Sequence, residues 1–252
     1  MPTGVLKIGT SGIVLPGNKS TFPEEFRNAS RLNYYSSLFN SLEINSSFYK
    51  LPLASTFAKW TDDVCGDFKF TVKLWRGITH AKNLQYAESD AINFMQAAGK
   101  LGSKAGCLLI QFPASINFNF ATQVESLLTL LNRINNNSQW RMVVEFRHTS
   151  WYQNNTYKML NDCNSSLVIH DMPNSRTPVD YEPDKLAYFR FHGPTGRYSG
   201  SYDDDFLSRY ARQIKDWKKQ GKDIYVYFNN TIGDALKNAQ LLQRFIESKI
   251  LE

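Results

Sequence analysis

Acidic and amide side chains recur on one face of short apolar stretches in this 252-residue chain. The stretch SLEINSSF, residues 41–48, alternates apolar and polar residues with period 2, which predicts a strand with two unlike faces. Glu43, Asn45 and Tyr49, the residue after the stretch, fall on its polar phase. Carboxylates and amides bind substrates or transfer protons, so the direction of this face decides whether it has a function.

The same alternation separates polar from apolar side chains in four other stretches of the chain. In RMVVEFR, residues 141–147, Glu145 and Arg147 oppose an apolar set, and in LAYFRFHG Arg190 and His192 do the same. Most of these polar residues lie near the C-terminal ends of their stretches, so the predicted strands would place them at their C-terminal ends. The other polar residues on this phase are Lys69, Thr71, Lys73 and Gln111.

Eight strand-like stretches alternate with amphipathic helical stretches along the chain. Eight strands with helical crossovers predict a parallel sheet closed into a TIM-like (β/α)8 barrel, an α/β fold. Residues 173–185 lack a helical period, so the sixth helix is expected to be reduced or missing. The strand stretches are residues 6–11, 41–48, 68–73, 106–112, 141–147, 166–172, 186–193 and 223–230.

No linker, repeat or low-complexity segment divides the chain, so residues 1–252 are expected to form a single barrel domain. At 42% hydrophobic residues the chain has enough apolar surface to bury a large core. The alternative fold, an open doubly wound sheet, requires a glycine-rich fingerprint after the first strand. The stretch GTSGIVLPG found there is not such a fingerprint.

A closed barrel needs an apolar outer face under its helices, so the polar phase is expected to point inward. The late polar residues then meet at the C-terminal mouth, where barrel enzymes have their active sites. Asn229 and Asn230, at the end of the eighth strand, are expected at the rim of that mouth. The alternative is a structural salt-bridge network, but each buried ion costs several kcal/mol to desolvate and aliphatic residues would fill the barrel as well. So many charges at one end favour a functional site.

Cations outnumber anions on the inward phase, by four side chains to two. Asp171, if it faces inward, reduces that surplus of two positive charges to one. A positive surplus in a dry cavity predicts an anionic ligand such as a carboxylate or phosphate. The cations are Lys69, Lys73, Arg147 and Arg190, and the carboxylates are Glu43 and Glu145.

The four histidines of the chain show no HExxH spacing, and its cysteines are not paired in sequence, so no cofactor is expected and no metal ligand is assigned. His192 with Glu43, Glu145 and either His170 or Asp171 is the set that would hold a metal ion, as in barrel nucleases and isomerases. Metal-assisted chemistry is therefore kept as a second interpretation.

Charge and cysteine content bear on partners and compartment. The net charge of +6 and the pI near 9.1 favour anionic partners, but the charge is too diffuse to establish nucleic-acid binding. Cys65, Cys107 and Cys163 are an odd number without CxxC spacing, which indicates a reducing, cytoplasmic compartment, and Cys107 is expected to be a small buried residue. Neither a signal peptide nor a run of about 20 apolar residues is found, so no membrane association is expected.

Seven motifs follow one another from about Lys7 to the last helix: KIGTSG, FNSLEINSSFYKLP, DFKFTVKLWRGITH, LLIQFP, VVEFRHTSW, YFRFHG, and YVYFNN followed by KNA. In this order they resemble the YecE-like family, catalogued as domain of unknown function 72. The resemblance implies a TIM-like barrel in a bacterial or archaeal cytoplasmic protein and leaves the activity open. Ile13 stands where family members usually have Trp, so a ligand that contacts that position is expected to differ here or to bind less tightly. The family pattern marks Glu43, Asn45, Tyr49, Lys73, Thr79, His80, Gln111, Glu145, Arg147, Trp151, Arg190, His192, Gly193 and Asn229.

These features predict an enzyme that acts on a small anionic or sugar-like substrate at the mouth by acid/base chemistry. Glu43 or Glu145 would be the base and His192 a proton shuttle. Lyase, isomerase and hydrolase reactions all fit. The alternatives are a phosphodiester-directed protein, either a metal-assisted nuclease or a DNA-binding protein, and a non-catalytic ligand-binding barrel. The predicted substrate-binding residues are Asn45, Tyr49, Gln111, Asn229 and Asn230, together with Lys73, Arg147 and Arg190 as an anion clamp.

Overall fold

The computed structural model describes residues 2–64, 66–135 and 139–248. Eight strands form one sheet in which every ladder is parallel. They are β1 Leu6–Thr10, β2 Ser41–Ile44, β3 Lys69–Lys73, β4 Ala105–Phe112, β5 Arg141–Phe146, β6 Ser165–His170, β7 Leu186–Phe191 and β8 Asp223–Phe228. Their order is β1-β8-β7-β6-β5-β4-β3-β2, and a bridge between Ser11 and Glu43 brings β2 back to the end of β1. The prediction of a TIM-like barrel, here nearly closed, is confirmed.

Helices alternate with the strands on the outside of this barrel. Residues 171–185, which all lie within the described ranges, form no helix, so the expected loss of the sixth helix is confirmed. No helix in the described part of the chain is long and apolar enough to cross a bilayer. The helices are α1 Arg31–Leu38, α2 Ser46–Tyr49, α3 Ala54–Asp62, α4 Arg76–Thr79, α5 Glu88–Ala98, α6 Ala121–Ile134, α7 Asn154–Asp162, α8 Asp204–Lys219 and α9 Ala235–Glu247.

The local sequence accounts for the position of α8. Asp203 caps this helix, because its Oδ1 accepts a hydrogen bond from the backbone N–H of Phe206 at 2.7 Å. Acidic residues in the first turn and lysines in the last complement the helix dipole. The side chains that α8 buries against the sheet are spaced three or four residues apart, and they are Leu207, Ala211, Ile214 and Trp217.

The second strand is shorter than its alternation predicts. It ends at Ile44, and the single-turn helix α2 begins at Ser46, so the extension of the strand to Phe48 was wrong. The reason is local hydrogen bonding. Asn45 already has helical backbone angles, and the hydroxyl of Ser47 turns back to the carbonyl of Ile44 at 3.1 Å, while the N–H of Phe48 donates to the carbonyl of Asn45 at 3.1 Å.

The inner and outer faces of the sheet have separate apolar clusters. The outer face packs under the helices as one continuous core. The inside holds a smaller cluster that fills the middle of the barrel, as in other small barrels. Cys107 is buried in this inner cluster, as expected, whereas Cys65 lies outside the described residues. The inner cluster consists of Cys107, Leu109, Val143, Val168, Leu186, Tyr188, Tyr225 and Tyr227.

Side chains close most of the gap between β1 and β2. Asn40 accepts a hydrogen bond from the backbone N–H of Ile8 and donates one to the carbonyl of Leu6, each at 2.9 Å. The hydroxyl of Tyr35 accepts from the N–H of Thr10 at 2.7 Å and donates to the carbonyl of Ser41 at 3.1 Å. These side chains therefore supply partners to backbone groups that the two strands leave unpaired between them.

Candidate active site

The centre of the barrel mouth is an arginine held by two glutamates. Arg190, on β7, donates through Nε and Nη2 to both carboxylate oxygens of Glu43 on β2, at 2.9 and 2.8 Å. Its Nη1 donates to Glu145 on β5 at 2.7 Å. All three side chains are at most 1% exposed. Three strands that are distant in sequence thus meet at one ion cluster, with the two-point geometry that a guanidinium offers a carboxylate.

The charges of this cluster stabilise one another. Burial alone would raise the pKa of Glu43, but the charge and hydrogen bonds of Arg190, together with hydrogen bonds from Ser11 and Tyr188, outweigh burial and lower it. The pKa of Glu145 is likewise lowered well below its usual value by Arg147 and Arg190, against the effect of burial. Burial would lower the pKa of Arg190, and the two glutamates raise it well above its usual value instead. Both carboxylates are therefore ionised at neutral pH.

A second chain of polar contacts leads from Glu145 to the loop after β7. Arg147, directly after β5, donates through Nε to Glu145, and its Nη2 lies 3.1 Å from Nε2 of His192. On the other side of the imidazole, Nδ1 lies 3.2 Å from the Asp171 carboxylate. Asp171 also accepts hydrogen bonds from the backbone N–H of His192, at 2.8 Å, and from the hydroxyl of Tyr202.

These contacts define the protonation of His192. Arg147 has no lone pair to offer, so Nε2 of the histidine must accept its N–H, and the ring proton resides on Nδ1 facing Asp171. Burial lowers the pKa of His192, in spite of the hydrogen bond with Asp171. The imidazole is neutral as a result, with a basic nitrogen directed toward the arginine that would contact a bound ligand.

Lys73, the last residue of β3, lies beside the cluster in a different environment. Its Nζ donates to Oε1 of Gln111 at 2.8 Å and lies 4.0 Å above the centre of the Phe48 ring. No carboxylate oxygen of the described residues is within ion-pair distance of it. Burial and the positive charge of Arg190 lower the pKa of Lys73 to about 7. Lys73 is therefore a group that takes up and releases a proton near neutral pH.

The remaining predicted binding residues differ in position. Asn45 follows β2, and its Oδ1 is buried without a partner among the described residues. Tyr49 is 69% exposed and packs edge-on against Phe48. The Asn230 side chain donates to the carbonyl of Gly200 and to Asn238, which fastens the β7–α8 loop to α9. The structure thus gives Asn230 a positioning contact, while Asn229 bonds through its backbone N–H to Phe191.

Four residues outside the predicted set complete the network. Ser11 and Tyr188 donate to the Glu43 carboxylate, each at 2.6 Å, and Tyr202 and Asp171 support His192. Tyr188 shares the inward phase of Arg190, so the alternation already contained that signal. The contact of Tyr202 depends on how the loop after β7 folds, and no local pattern indicates it.

The mouth has less positive charge than the alternation suggests. Lys69 lies at the opposite end of β3, where its Nζ donates to the carbonyl of Ser103, so its inclusion in the cavity was wrong. Asp171 does reach the network, and Lys73 is partly neutral near pH 7. Arg190 is 1% exposed and bonded to both glutamates, so Arg147 and Lys73 are the cations of this network better placed for a ligand.

No metal-binding cluster of the described residues marks this site, and two surface cavities lie away from it. Within the described residues, no three His, Cys, Asp or Glu side chains are grouped so as to hold a metal ion. Surface cavities of about 840 and 700 Å³ lie elsewhere, the first beside Met95 and Trp140 and the second beside Tyr181 and Trp217. The second is the groove left by the missing sixth helix. Chemistry rather than volume distinguishes the mouth.

Comparisons with known proteins agree with this fold. The family described as "Protein of unknown function DUF72" matches residues 7–251. The UPF0759 protein YunF of Bacillus subtilis (strain 168) is 24% identical over 259 residues, covering 90% of each chain. The UPF0759 protein YecE of Escherichia coli (strain K12) is 27% identical over 84 residues, which are 33% of this chain and 31% of that protein.

Solved structures give the same assignment. A DUF72 family protein of Enterococcus faecalis V583, EF0366, superposes with a TM-score of 0.79 at 22% identity, covering 97% of this chain and 96% of that one. A DUF72 family protein of Thermotoga maritima MSB8, TM1631, superposes with a TM-score of 0.76 at 25% identity, covering 97% of this chain and all of that one (100%). The fold, the motifs and the match along residues 7–251 agree, and the chain belongs to the DUF72 family.

Proposed function

We propose that this barrel is an enzyme that transfers protons to and from a small anionic or sugar-like substrate at its C-terminal mouth. The observation that supports this most strongly is the enclosed network of Glu43, Arg190, Glu145, Arg147 and His192. Aliphatic side chains would fill the same space without the cost of desolvating several ions. Such a concentration of perturbed groups at the end where barrel enzymes work favours catalysis over a structural role.

The proton-transfer groups differ from the base expected at first. Glu43 and Glu145 are held ionised by Arg190 and are weak bases near neutral pH. Lys73, with a pKa of about 7, is better matched to proton transfer there, whereas Nε2 of His192 already accepts the N–H of Arg147 and positions that arginine. In this assignment the two glutamates position Arg190 and balance the charge that develops on the neighbouring groups.

The substrate class follows from the donors that remain. Arg147 uses Nε and Nη2 within the network, and its side chain is 14% exposed, which leaves Nη1 for a ligand. Lys73 is close enough that the charge of Arg147 contributes to lowering its pKa. A carboxylate, phosphate or sugar hydroxyl placed between them would accept hydrogen bonds from both. A cytoplasmic location, expected from the cysteine pattern, is part of this proposal.

The test is a ligand screen with a matched pair of variants. Thermal shift and calorimetry with inorganic phosphate, sugar phosphates and small carboxylic acids should identify a ligand of the wild-type protein. Arg147→Met should weaken that ligand at least about tenfold, because a charge-assisted hydrogen bond is lost. Arg133→Met, which alters an exposed ion pair with Glu88, should leave binding unchanged.

Catalysis is read separately from binding. Proton NMR in D2O should show the ligand losing a C–H signal, because reversible proton abstraction exchanges hydrogen with the solvent. If no compound of the screen binds, or if Arg147→Met and Arg133→Met bind equally well, the proposed site is wrong. Binding without any exchange or turnover would instead support the non-catalytic ligand-binding barrel.

A further inference from the structure

Lys73 differs from the other cations of the barrel interior in what it contacts. At the N-terminal end, Lys7 and Arg141 pair with aspartates, and at the mouth Arg147 and Arg190 pair with glutamates. Lys73 has an amide oxygen and an aromatic ring as its neighbours, with no ion pair among the described residues. Burial and the positive charge of Arg190 destabilise an ammonium ion at this position and leave the amine available for reaction.

The position of Lys73 also bears on its reactivity. Lys73 is 9% exposed at the C-terminal end of β3, so it is largely shielded from bulk water without being fully enclosed. One N–H is directed to Oε1 of Gln111, which orients the rest of the amine. At a pKa of about 7 close to half of the molecules have a free lone pair at neutral pH, compared with about one in 2,500 for an ordinary lysine.

We propose that Lys73 is a nucleophile that forms an imine with the carbonyl carbon of a small aldehyde or ketone carrying a carboxylate or phosphate group. This rests on the proposed function, and it narrows the substrate from a small anionic molecule to a carbonyl compound. A desolvated lysine next to another cation is a known way of activating this amine for Schiff-base chemistry. The anionic group of the substrate would bind Arg147.

The reaction needs no further reagent. The Nζ lone pair forms a bond to the carbonyl carbon while the C=O π electrons move to oxygen, which takes a proton as the nitrogen loses one. The resulting carbinolamine then loses its hydroxyl as water, and the C=N bond forms. Protonated, this imine is a cation, and Glu43 and Glu145 stabilise positive charge at Lys73. Attack of water reverses the sequence and restores the free amine.

Reductive trapping tests the proposal on the intact protein. Wild-type protein is incubated at neutral pH with glyoxylate or with glycolaldehyde phosphate, each with sodium cyanoborohydride, which reduces iminium ions to stable amines. Peptide mapping by mass spectrometry then measures labelling at every lysine. We expect Lys73 to be labelled at least about tenfold faster than the exposed lysines, because a much larger fraction of its amine is unprotonated.

Two variants and a pH series provide controls. Lys73→Met should abolish the fast labelling, whereas Lys69→Met, at the opposite end of the same strand, should leave it unchanged. The labelling rate of Lys73 should rise with increasing pH, with a midpoint near pH 7. The charged and titratable groups that face Lys73 and share in this midpoint are Arg190, Glu145, Glu43, Arg147, His80 and Arg76.

The outcomes separate this proposal from the proposed function. Labelling of Lys73 no faster than that of the exposed lysines, with both probes, overturns the imine even if the screen finds a ligand that depends on Arg147. In that case the acid/base site survives and Lys73 is left with proton transfer only. Fast labelling of Lys73 combined with a failed ligand screen would support a nucleophilic lysine and refute the wider substrate assignment.

Discussion

Charged side chains enter the barrel at both ends, and their surroundings differ. At the N-terminal end the side chain of Arg141 is 44% exposed, and its partner Asp223 is 23% exposed. At the mouth, Arg190 and its partners Glu43 and Glu145 are at most 1% exposed. The other pair at the N-terminal end also has one exposed member, since Lys7 is 4% exposed and its partner Asp67 is 84% exposed. Solvent therefore screens each pair at that end, whereas at the mouth the ions stabilise one another.

This difference favours a functional role for the charges at the mouth over those at the N-terminal end. Both ends have the same residue types on the same inward phase, so residue type alone does not distinguish them. An exposed ion pair contributes little to the free energy of unfolding and is easily replaced. An enclosed ion cluster is costly to desolvate, which favours a role in chemistry for it. The comparison can be tested by disturbing each end with matched substitutions.

The largest contrast is expected between Arg190→Met and Arg141→Met. Removing Arg190 leaves two buried carboxylates without their cation, which should lower the free energy of unfolding by about 3–5 kcal/mol. Removing Arg141 breaks a partly exposed pair and should cost at most about 1 kcal/mol. Urea unfolding followed by circular dichroism measures both. Equal losses would show that the two ends are energetically alike and would undo the comparison.

Acid should weaken the mouth through its histidines. All four histidines lie beyond the C-terminal ends of strands or at the last strand residue. Burial lowers the pKa of His170 from 6.5 to about 4. The unfolded chain therefore binds this proton at a higher pH than the folded chain does. The contribution of neutral His170 to the free energy of unfolding is complete above pH 6.5 and is lost as the pH falls toward 4. By about pH 5 the free energy of unfolding should be lower by roughly 2 kcal/mol.

The variant His170→Gln isolates this effect. Its amide can replace the Nε2–H donor that His170 directs to the carbonyl of Phe146 at 3.1 Å, and it does not titrate. Urea midpoints measured at neutral pH and near pH 5 should therefore move less in the variant than in the wild type. The glutamates of the mouth titrate at lower pH and should not contribute in this window. An unchanged pH dependence would assign the acid sensitivity to other groups.

The smallest contrast is expected between two buried tyrosines. Tyr188 donates to the Glu43 carboxylate at 2.6 Å, whereas Tyr227 shares hydrogen bonds with the hydroxyls of Ser41 and Thr71 deeper in the barrel. Tyr188→Phe should cost about 1.5–3 kcal/mol and Tyr227→Phe about 0.5–1.5 kcal/mol, because the first removes a bond to a charged group. Urea unfolding measures both, and a larger loss for Tyr227→Phe would contradict the ranking of the two regions.

Alternation and element order predict the barrel, because a buried strand under helices must keep one face apolar wherever it lies. Glu43, Glu145 and Arg190 came from that pattern, and the structure joins them directly. The pattern is less reliable where strands end. At Asn45 and Tyr49 the polar phase continues in the sequence, but the backbone turns into a helix, with the hydroxyl of Ser47 bonded back to the carbonyl of Ile44.

Depth along a strand is the other quantity that alternation does not contain. Lys69 and Lys73 share one phase, yet they lie at opposite ends of the barrel and have different partners. The contribution of Tyr202 depends on the folded loop after β7, which brings its hydroxyl to Asp171. Contacts of this kind result from tertiary packing, and no period in the sequence encodes them.

The way β1 meets β2 has a mechanical consequence. Backbone ladders join the neighbouring strands of the barrel except β1 and β2, where the side chains of Asn40 and Tyr35 supply most of the contacts. We therefore expect the barrel to open first between β1 and β2. Glu43 lies where β2 meets the end of β1. Its carbonyl accepts the N–H of Gly12 at 2.8 Å, and its carboxylate accepts hydrogen bonds from Arg190. Any spreading of the two strands would thus strain the ion pair between Glu43 and Arg190.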